Sequence, residues 1–260
     1  MWHSNLGLAQ TCVIHRVASL RALAKLLRAC LHLLHGMWTI WRHFPKASRL
    51  EKSAHIKLWA TRFLSIVGVD LEVTGTPVQT GPMLVVANHI SWLDILAMLA
   101  VQPVHFVSKA EVKNWPIVGW LATNVGTLYI ERSSRKDAVR MVQAVAQDLQ
   151  ASCVVGVFPE GTTTSGVSLL PFHANLIQAA LDAGSPAQAV SLDYRDAATG
   201  ARSGAVIYID DDTLLTSVWR ILRASRMTAR MAYAEPQQAA GLDRRAWAAA
   251  LRDQITSMRE

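Results

Sequence analysis

From residue 69 onward the chain breaks into short apolar runs, each stopped by a turn, and few folds accept that rhythm. The runs are Leu71–Thr74, Met83–Ala87, Val104–Ser108, Thr127–Glu131, Cys153–Phe158, Ala187–Leu192 and Ala205–Ile209. Between them lie stretches of helical periodicity at 92–101, 135–151, 172–183 and 242–256. Short runs rich in Val, Ile and Leu read as strands. Strands alternating with helices predict an α/β fold, a mixed β-sheet flanked by helices. The 260 residues supply one sizeable core. There is no internal repeat, and no GxGxxG or Walker loop that would support nucleotide hydrolysis.

The first 67 residues follow another pattern. Residues 11–44 contain no Pro and only Gly36, and read as a helix; a second helix spans about 48–67 and ends near Gly68. Arg21, Lys25, Arg28, His32 and His35 fall on one helical stripe, while Leu20, Leu23, Leu27, Leu31, Leu34, Trp38 and Trp41 lie largely on other faces. Residues 1–62 hold ten Lys/Arg and one acid, Glu51, for a charge of +9, against −2 for the rest of the chain. The longest charge-free run, Ala29–Trp41, has 13 residues, short of the about 20 a spanning helix needs. The segment therefore reads as an interfacial, membrane-associated amphipathic helix on an anionic lipid surface. A helix packed on the core and a nucleic-acid contact are the other readings of the same pattern. Arg21, Lys25 and Arg28 interrupt any signal-peptide apolar region. We divide the chain into residues 1–67, for membrane association, and 68–260. Hydrophobic residues make up 51% and charged residues 17%, which excludes strong disorder. Cys12, Cys30 and Cys153 are odd in number and far apart, so neither a disulfide framework nor a structural metal site is expected.

Three strand ends carry the chemistry. "MLVVANHISWLD" runs from a strand through Asn88-His89 to Asp94. Its "SWLD" matches a capping box, with Ser91 as N-cap and Asp94 in the first turn. Across such a junction His89 can fold back onto Asp94, giving a His–carboxylate general base. The plainer reading is a capping aspartate beside an incidental loop histidine. "VVGVFPEGTTTSG" ends a strand with Glu160 and Gly161, a usual place for site residues in α/β sheets, or else a plain turn. "GTLYIER" ends in Glu131-Arg132, where a guanidinium can grip a phosphate or form a surface ion pair.

Taken together, "NHISWLD" (88–94), "GTLYIER" (126–132) and "FPEGT" (158–162) resemble the glycerolipid acyltransferase family, of the bacterial 1-acylglycerol-3-phosphate acyltransferase type, over roughly residues 70–210. "FVSKAEV" with Lys109 and "WPIVGW" with Pro116 and Gly119 are looser matches. The resemblance implies that an acyl group passes from acyl-CoA or acyl carrier protein to a lysolipid hydroxyl. His89 would be the base and Asp94 its orienting partner. Asn88, Lys109, Arg132, Glu160, Gly161 and Thr162 would serve the substrates. No metal, no cofactor beyond the acyl donor, and no nucleic acid are implied. A two-chain product cannot leave into water, since each exposed CH2 costs about 0.8 kcal/mol. The expected location is the cytoplasmic face of the inner membrane, peripheral or monotopic.

The chain departs from the family pattern at two places. Position 163 is Thr where the family usually has Arg, and Ala189-Val190 stands where a Pro is usual. The first departure brings lysophospholipids and lyso-ornithine lipid in as rival acceptors. A non-catalytic binder of membrane or nucleic acid would leave all three motifs unexplained.

Overall fold

A computed structural model describes residues 4–131, 135–209 and 211–259, with side chains from residue 18 onward except that of Arg135. Seven strands form one sheet: β1 (Val69–Thr74), β2 (Met83–Ala87), β3 (His105–Lys109), β4 (Leu128–Ile130), β5 (Val154–Val157), β6 (Ala187–Asp196) and β7 (Met227–Tyr233). Their order is β1-β7-β6-β2-β5-β3-β4. From β6 to β4 all neighbours are parallel; β7 is antiparallel to β6 and parallel to β1. The sheet is thus mixed and flanked by helices, as the alternating pattern predicts.

β2 shows why its sequence has no polar residue. All five of its side chains are buried. Met83, Val85 and Ala87 enter one hydrophobic cluster and Leu84 and Val86 the other, the period of two that a strand imposes. The first cluster lies under α1 (Ser4–His43), α2 (Arg49–Val67), α3 (Leu93–Val101) and α7 (Leu214–Arg223). The second lies under α5 (Arg135–Gln150), α6 (Ala174–Ala183) and α8 (Arg244–Ser257). A short α4 (Val118–Asn124) precedes β4.

The structure corrects two element assignments. Residues 205–209 form no strand: a 3-10 turn occupies Gly204–Val206, and the Arg220 guanidinium takes the carbonyls of Ala205 and Ile207 that a ladder would have used. The seventh strand is instead β7, which sequence reading missed, while β6, read as Ala187–Leu192, extends to Asp196. The burial of β7 does alternate, but its inward set of Met and Ala around Thr and Arg lacks the usual β-branched signature.

The N-terminal helices pack by small residues. Ala22, Ala29 and Ala60 are buried in the first cluster beside Phe63 and Leu64. Gly36 lets α1 approach α2, since a Cβ there would lie 2.5 Å from Trp59 Nε1. Trp59 Nε1 donates to the His32 carbonyl, and His32 Nε2 pairs with the Trp59 carbonyl. Lys25 Nζ donates to the Val67 carbonyl at 3.0 Å. The basic stripe therefore does not face solvent as a whole, because Lys25 and His32 turn toward α2. α1 shows outward an apolar stripe, Leu20, Leu23, Leu27, Leu31, Leu34, Trp38 and Trp41, beside the exposed basic side chains of Arg21, Arg28, His35 and Arg42. No described helix is long and apolar enough to cross a membrane.

Candidate active site

The motif residues follow the C-terminal ends of parallel strands: His89 after β2, Lys109 at the end of β3, Glu160 after β5. This edge is where open α/β sheets place their ligands. Arg132 follows β4 in sequence and lies outside the described residues.

His89 folds back as the junction allows. Its Nδ1 lies 2.8 Å from Asp94 Oδ2. The same oxygen accepts from the backbone N–H groups of Ile90 at 2.7 Å and Ser91 at 2.9 Å. Asp94 Oδ1 accepts from the Tyr194 hydroxyl at 2.8 Å. Asp94 is fully buried, yet both its oxygens are satisfied, which is the condition for keeping a charge inside a protein. Burial and the facing carboxylate push the Tyr194 hydroxyl well above its ordinary pKa, so it stays a donor. Because Asp94 only accepts, the Nδ1 of neutral His89 carries the proton and Nε2 carries the lone pair. The His89 ring also stacks on Phe158, with centroids 4.0 Å apart, and Phe158 stacks on Phe106. The ring is thus fixed by one hydrogen bond and one flat apolar face.

The capping detail differs from expectation. α3 begins at Leu93, and Ser91 Oγ accepts from Leu93 N–H rather than from Asp94 N–H. Asp94 does reach back to Ser91 N–H, so the reciprocal half of the box is present. It serves to hold the loop that carries His89.

Two motif residues act on backbone. Asn88 is fully buried, and its amide splices β2 to β6: Nδ2 donates to the Leu192 carbonyl, and Oδ1 accepts from Leu192 N–H at 2.7 Å. Assigned to substrate binding by the resemblance, Asn88 is here buried with its amide engaged on the backbone of β6. Glu160 is almost fully buried; Oε1 accepts from His89 N–H at 2.8 Å and Oε2 from Leu170 N–H at 2.9 Å. Burial raises its pKa, while the two N–H bonds pull the other way. Glu160 therefore pins the His89 loop to the 161–170 loop and is not free to line an acceptor pocket. Gly161 adopts φ +74°, a left-handed turn that glycine tolerates. Thr162 and Lys109 are exposed. Thr163, where the family pattern has Arg, turns its hydroxyl to the Tyr208 carbonyl. Thr164 N–H bonds the His89 carbonyl at 2.8 Å, a second tie between the two motifs.

Sequence reading missed Tyr194 and Phe158 as parts of the site. Phe158 ends a run read as a strand and Tyr194 lies two residues beyond one, in the extension of β6, but nothing in a linear sequence says that their side chains meet the His–Asp pair. A second cluster, His105, Asp148 and Cys153, brings potential ligand atoms within 4.8 Å of one another. It is satisfied internally: His105 Nδ1 pairs with Asp148 at 2.8 Å, and Arg49 Nη1 lies 3.7 Å from Cys153 Sγ. Cys153 precedes β5 and is only partly buried, not a core strand residue.

Comparison with known proteins agrees with this geometry. Residues 70–193 match the Acyltransferase family model. A lyso-ornithine lipid O-acyltransferase of Pseudomonas aeruginosa is 41% identical over 186 residues, 72% of this chain and 70% of that protein. The chain belongs to the glycerolipid acyltransferase family. A 1-acyl-sn-glycerol-3-phosphate acyltransferase of Neisseria meningitidis serogroup B is 45% identical over 170 residues, 65% of this chain; the chain spans 66% of that relative's length. The fold matches the crystal structure of the 1-acyl-sn-glycerophosphate acyltransferase PlsC of Thermotoga maritima, with a TM-score of 0.69 over 95% of this chain and 98% of that one, at 20% identity. Within this family of acyltransferases, a histidine with one nitrogen held by a buried carboxylate suits direct attack by an acceptor hydroxyl.

Proposed function

We propose that the chain is a lysolipid O-acyltransferase that acylates 1-acylglycerol-3-phosphate to phosphatidic acid. The observation that carries this is His89, held through Nδ1 by buried Asp94 with Nε2 left as base at the C-terminal edge of the sheet. Nε2 takes the proton of the acceptor hydroxyl. The oxygen attacks the thioester carbonyl of acyl-CoA or acyl carrier protein, and the C–O bond forms. The C–S bond then breaks, and the imidazolium returns its proton to the leaving thiolate. Asp94 stabilises the imidazolium between these steps. Lys109, at the end of β3, and Arg132, which follows β4 in sequence, are the cations assigned to substrate phosphate. Glu160 and Gly161 shape the loop that carries Thr162 to the acceptor.

Residues 1–67 are the part assigned to the membrane and 68–260 the catalytic part, with the protein lying on the cytoplasmic face of the inner membrane. The exposed leucine and tryptophan face of α1 supports this reading. A second acceptor, lyso-ornithine lipid, is favoured by Thr163, whose hydroxyl is spent on the Tyr208 carbonyl where a phosphate-binding Arg is usual. The test is an acceptor panel: labelled acyl-CoA or acyl carrier protein with 1-acylglycerol-3-phosphate, lysophospholipids and lyso-ornithine lipid, and His89→Ala as blank. Transfer to the phosphomonoester is expected, with none in the blank. Preference for lyso-ornithine lipid selects the second reading, and turnover by His89→Ala removes the base assignment.

A further inference from the structure

The segment Trp115–Trp120 presents apolar side chains outward on a strained backbone. Trp115, Ile117, Val118 and Trp120 are 37–40% exposed. Ile117 has φ 65° and ψ −59°, and Val118 N–H bonds the Pro116 carbonyl at 2.6 Å. This is a γ-turn of the rare positive-φ kind, and a β-branched residue at its tip is an outlier. Strain of this sort persists only where the surroundings impose it. Here Gly119 is buried against the carbonyls of Val112 and Lys113, with a Cβ 2.2 Å from the latter. Tyr129 and Thr123 hydroxyls both donate to the Gly119 carbonyl. The body of the protein therefore grips the base of the turn and holds an isoleucine partly exposed at its tip.

We infer that this turn is a second membrane-inserting element, dipping into the same lipid surface as α1. The inference rests on the membrane-bound reading above. Three observations select a bilayer as the occupant. α4, which begins inside the segment, packs against α1, which shows an apolar stripe outward. Tryptophans stand on both sides of the tip, the arrangement that suits a water–lipid boundary. Exposed Lys113 stands four residues before the tip, positioned for anionic headgroups. Two anchors fix a tilt where one helix leaves rotation free, and the turn joins the loop after β3 to β4, on the sheet edge that carries His89. The mouth of the site is held toward the lipid.

The experiment is co-sedimentation of the full chain with vesicles of phosphatidylglycerol and phosphatidylethanolamine. Ile117→Asn removes the apolar tip and relaxes the turn, because Asn accepts positive φ. Its vesicle partition is expected to fall about tenfold with the melting temperature unchanged or raised. Trp120→Ser is the second variant, and Leu27→Ser/Leu31→Ser tests α1 in parallel. Loss in the α1 variant with wild-type binding by Ile117→Asn and Trp120→Ser overturns this inference alone. Unchanged binding in all three variants overturns the membrane reading beneath it. Unchanged binding with a raised KM for acyl carrier protein makes the turn a donor-docking surface, and the inference falls.

Discussion

Among the described residues two histidine–aspartate pairs share one geometry, and only one sits where catalysis is expected. His89–Asp94 and His105–Asp148 both join Nδ1 to Oδ2 at 2.8 Å. The side chains of the first pair are 18% and 0% exposed, those of the second 38% and 26%. His89 follows the C-terminal end of β2; His105 opens β3, at the opposite edge of the same parallel array. Asp94 has three further donors, from Ile90, Ser91 and Tyr194. The His105 ring lies against Gly126, where a Cβ would stand 2.7 Å from Nε2. A hydrogen-bonded pair is thus not sufficient for a base. The carboxylate must be buried and otherwise satisfied, so that its charge acts on the imidazolium, and the pair must sit at the right edge of the sheet.

Breaking the first pair gives the largest effect. Asp94→Asn keeps an oxygen for His89 and the loop N–H groups only if its amide nitrogen turns to Tyr194, and the neutral side chain no longer stabilises the imidazolium. Turnover is expected to fall by about 10³-fold, read as kcat at saturating acceptor. A wild-type kcat in the folded variant would mean that His89 acts without its partner.

The next effect sharpens the role of burial. Tyr194→Phe leaves Asp94 Oδ1 buried and unpaired, at a cost of about 1–3 kcal/mol in stability and roughly tenfold in turnover. It also has a pH signature. The folded pKa of Tyr194 is raised above its unfolded value. Its contribution is fully present below about pH 10, where the unfolded tyrosine begins to ionise, and is lost as pH rises toward the folded value. Wild-type stability should therefore decline above about pH 10, and Tyr194→Phe should decline less steeply. Buried Tyr233, raised in the same direction, leaves some slope in both. Denaturant melts across alkaline pH measure the difference; identical slopes would remove Tyr194 from the linkage.

How much of this is legible in the sequence depends on whether a residue's role is local. β2 matches its expected bounds, Met83–Ala87, because an unbroken apolar run buried on both faces is a local signal. The His89–Asp94 pair is legible because five residues across one junction suffice to make it. Asn88 and Glu160 are legible as motif positions but not in their roles. Asn88 closes on Leu192 and Glu160 on Leu170, partners that the topology supplies. Tyr194 lies 100 residues from Asp94 and reaches it only because β6 pairs with β2. The outward apolar stripe of α1 was hidden for a related reason. Periodicity separates the faces of a helix, but only α2 decides that Lys25 and His32 turn inward while the leucines turn out.

The smallest effect belongs to the second pair, and its smallness is the point. His105→Gln removes a hydrogen-bonded pair whose members both reach solvent, a class of contact usually contributing about 0–1 kcal/mol. Gln can keep a hydrogen bond to Asp148, and its flexible amide can avoid Gly126. The melting temperature should fall by only a few degrees and turnover should stay within about twofold of wild type. The residue of this strand proposed to meet substrate, Lys109, lies four residues along β3, at its other end. A large loss of kcat with an intact melting transition would mean that the N-terminal edge takes part in the reaction. The contrast between the two pairs would then have to be redrawn around something other than burial and strand polarity.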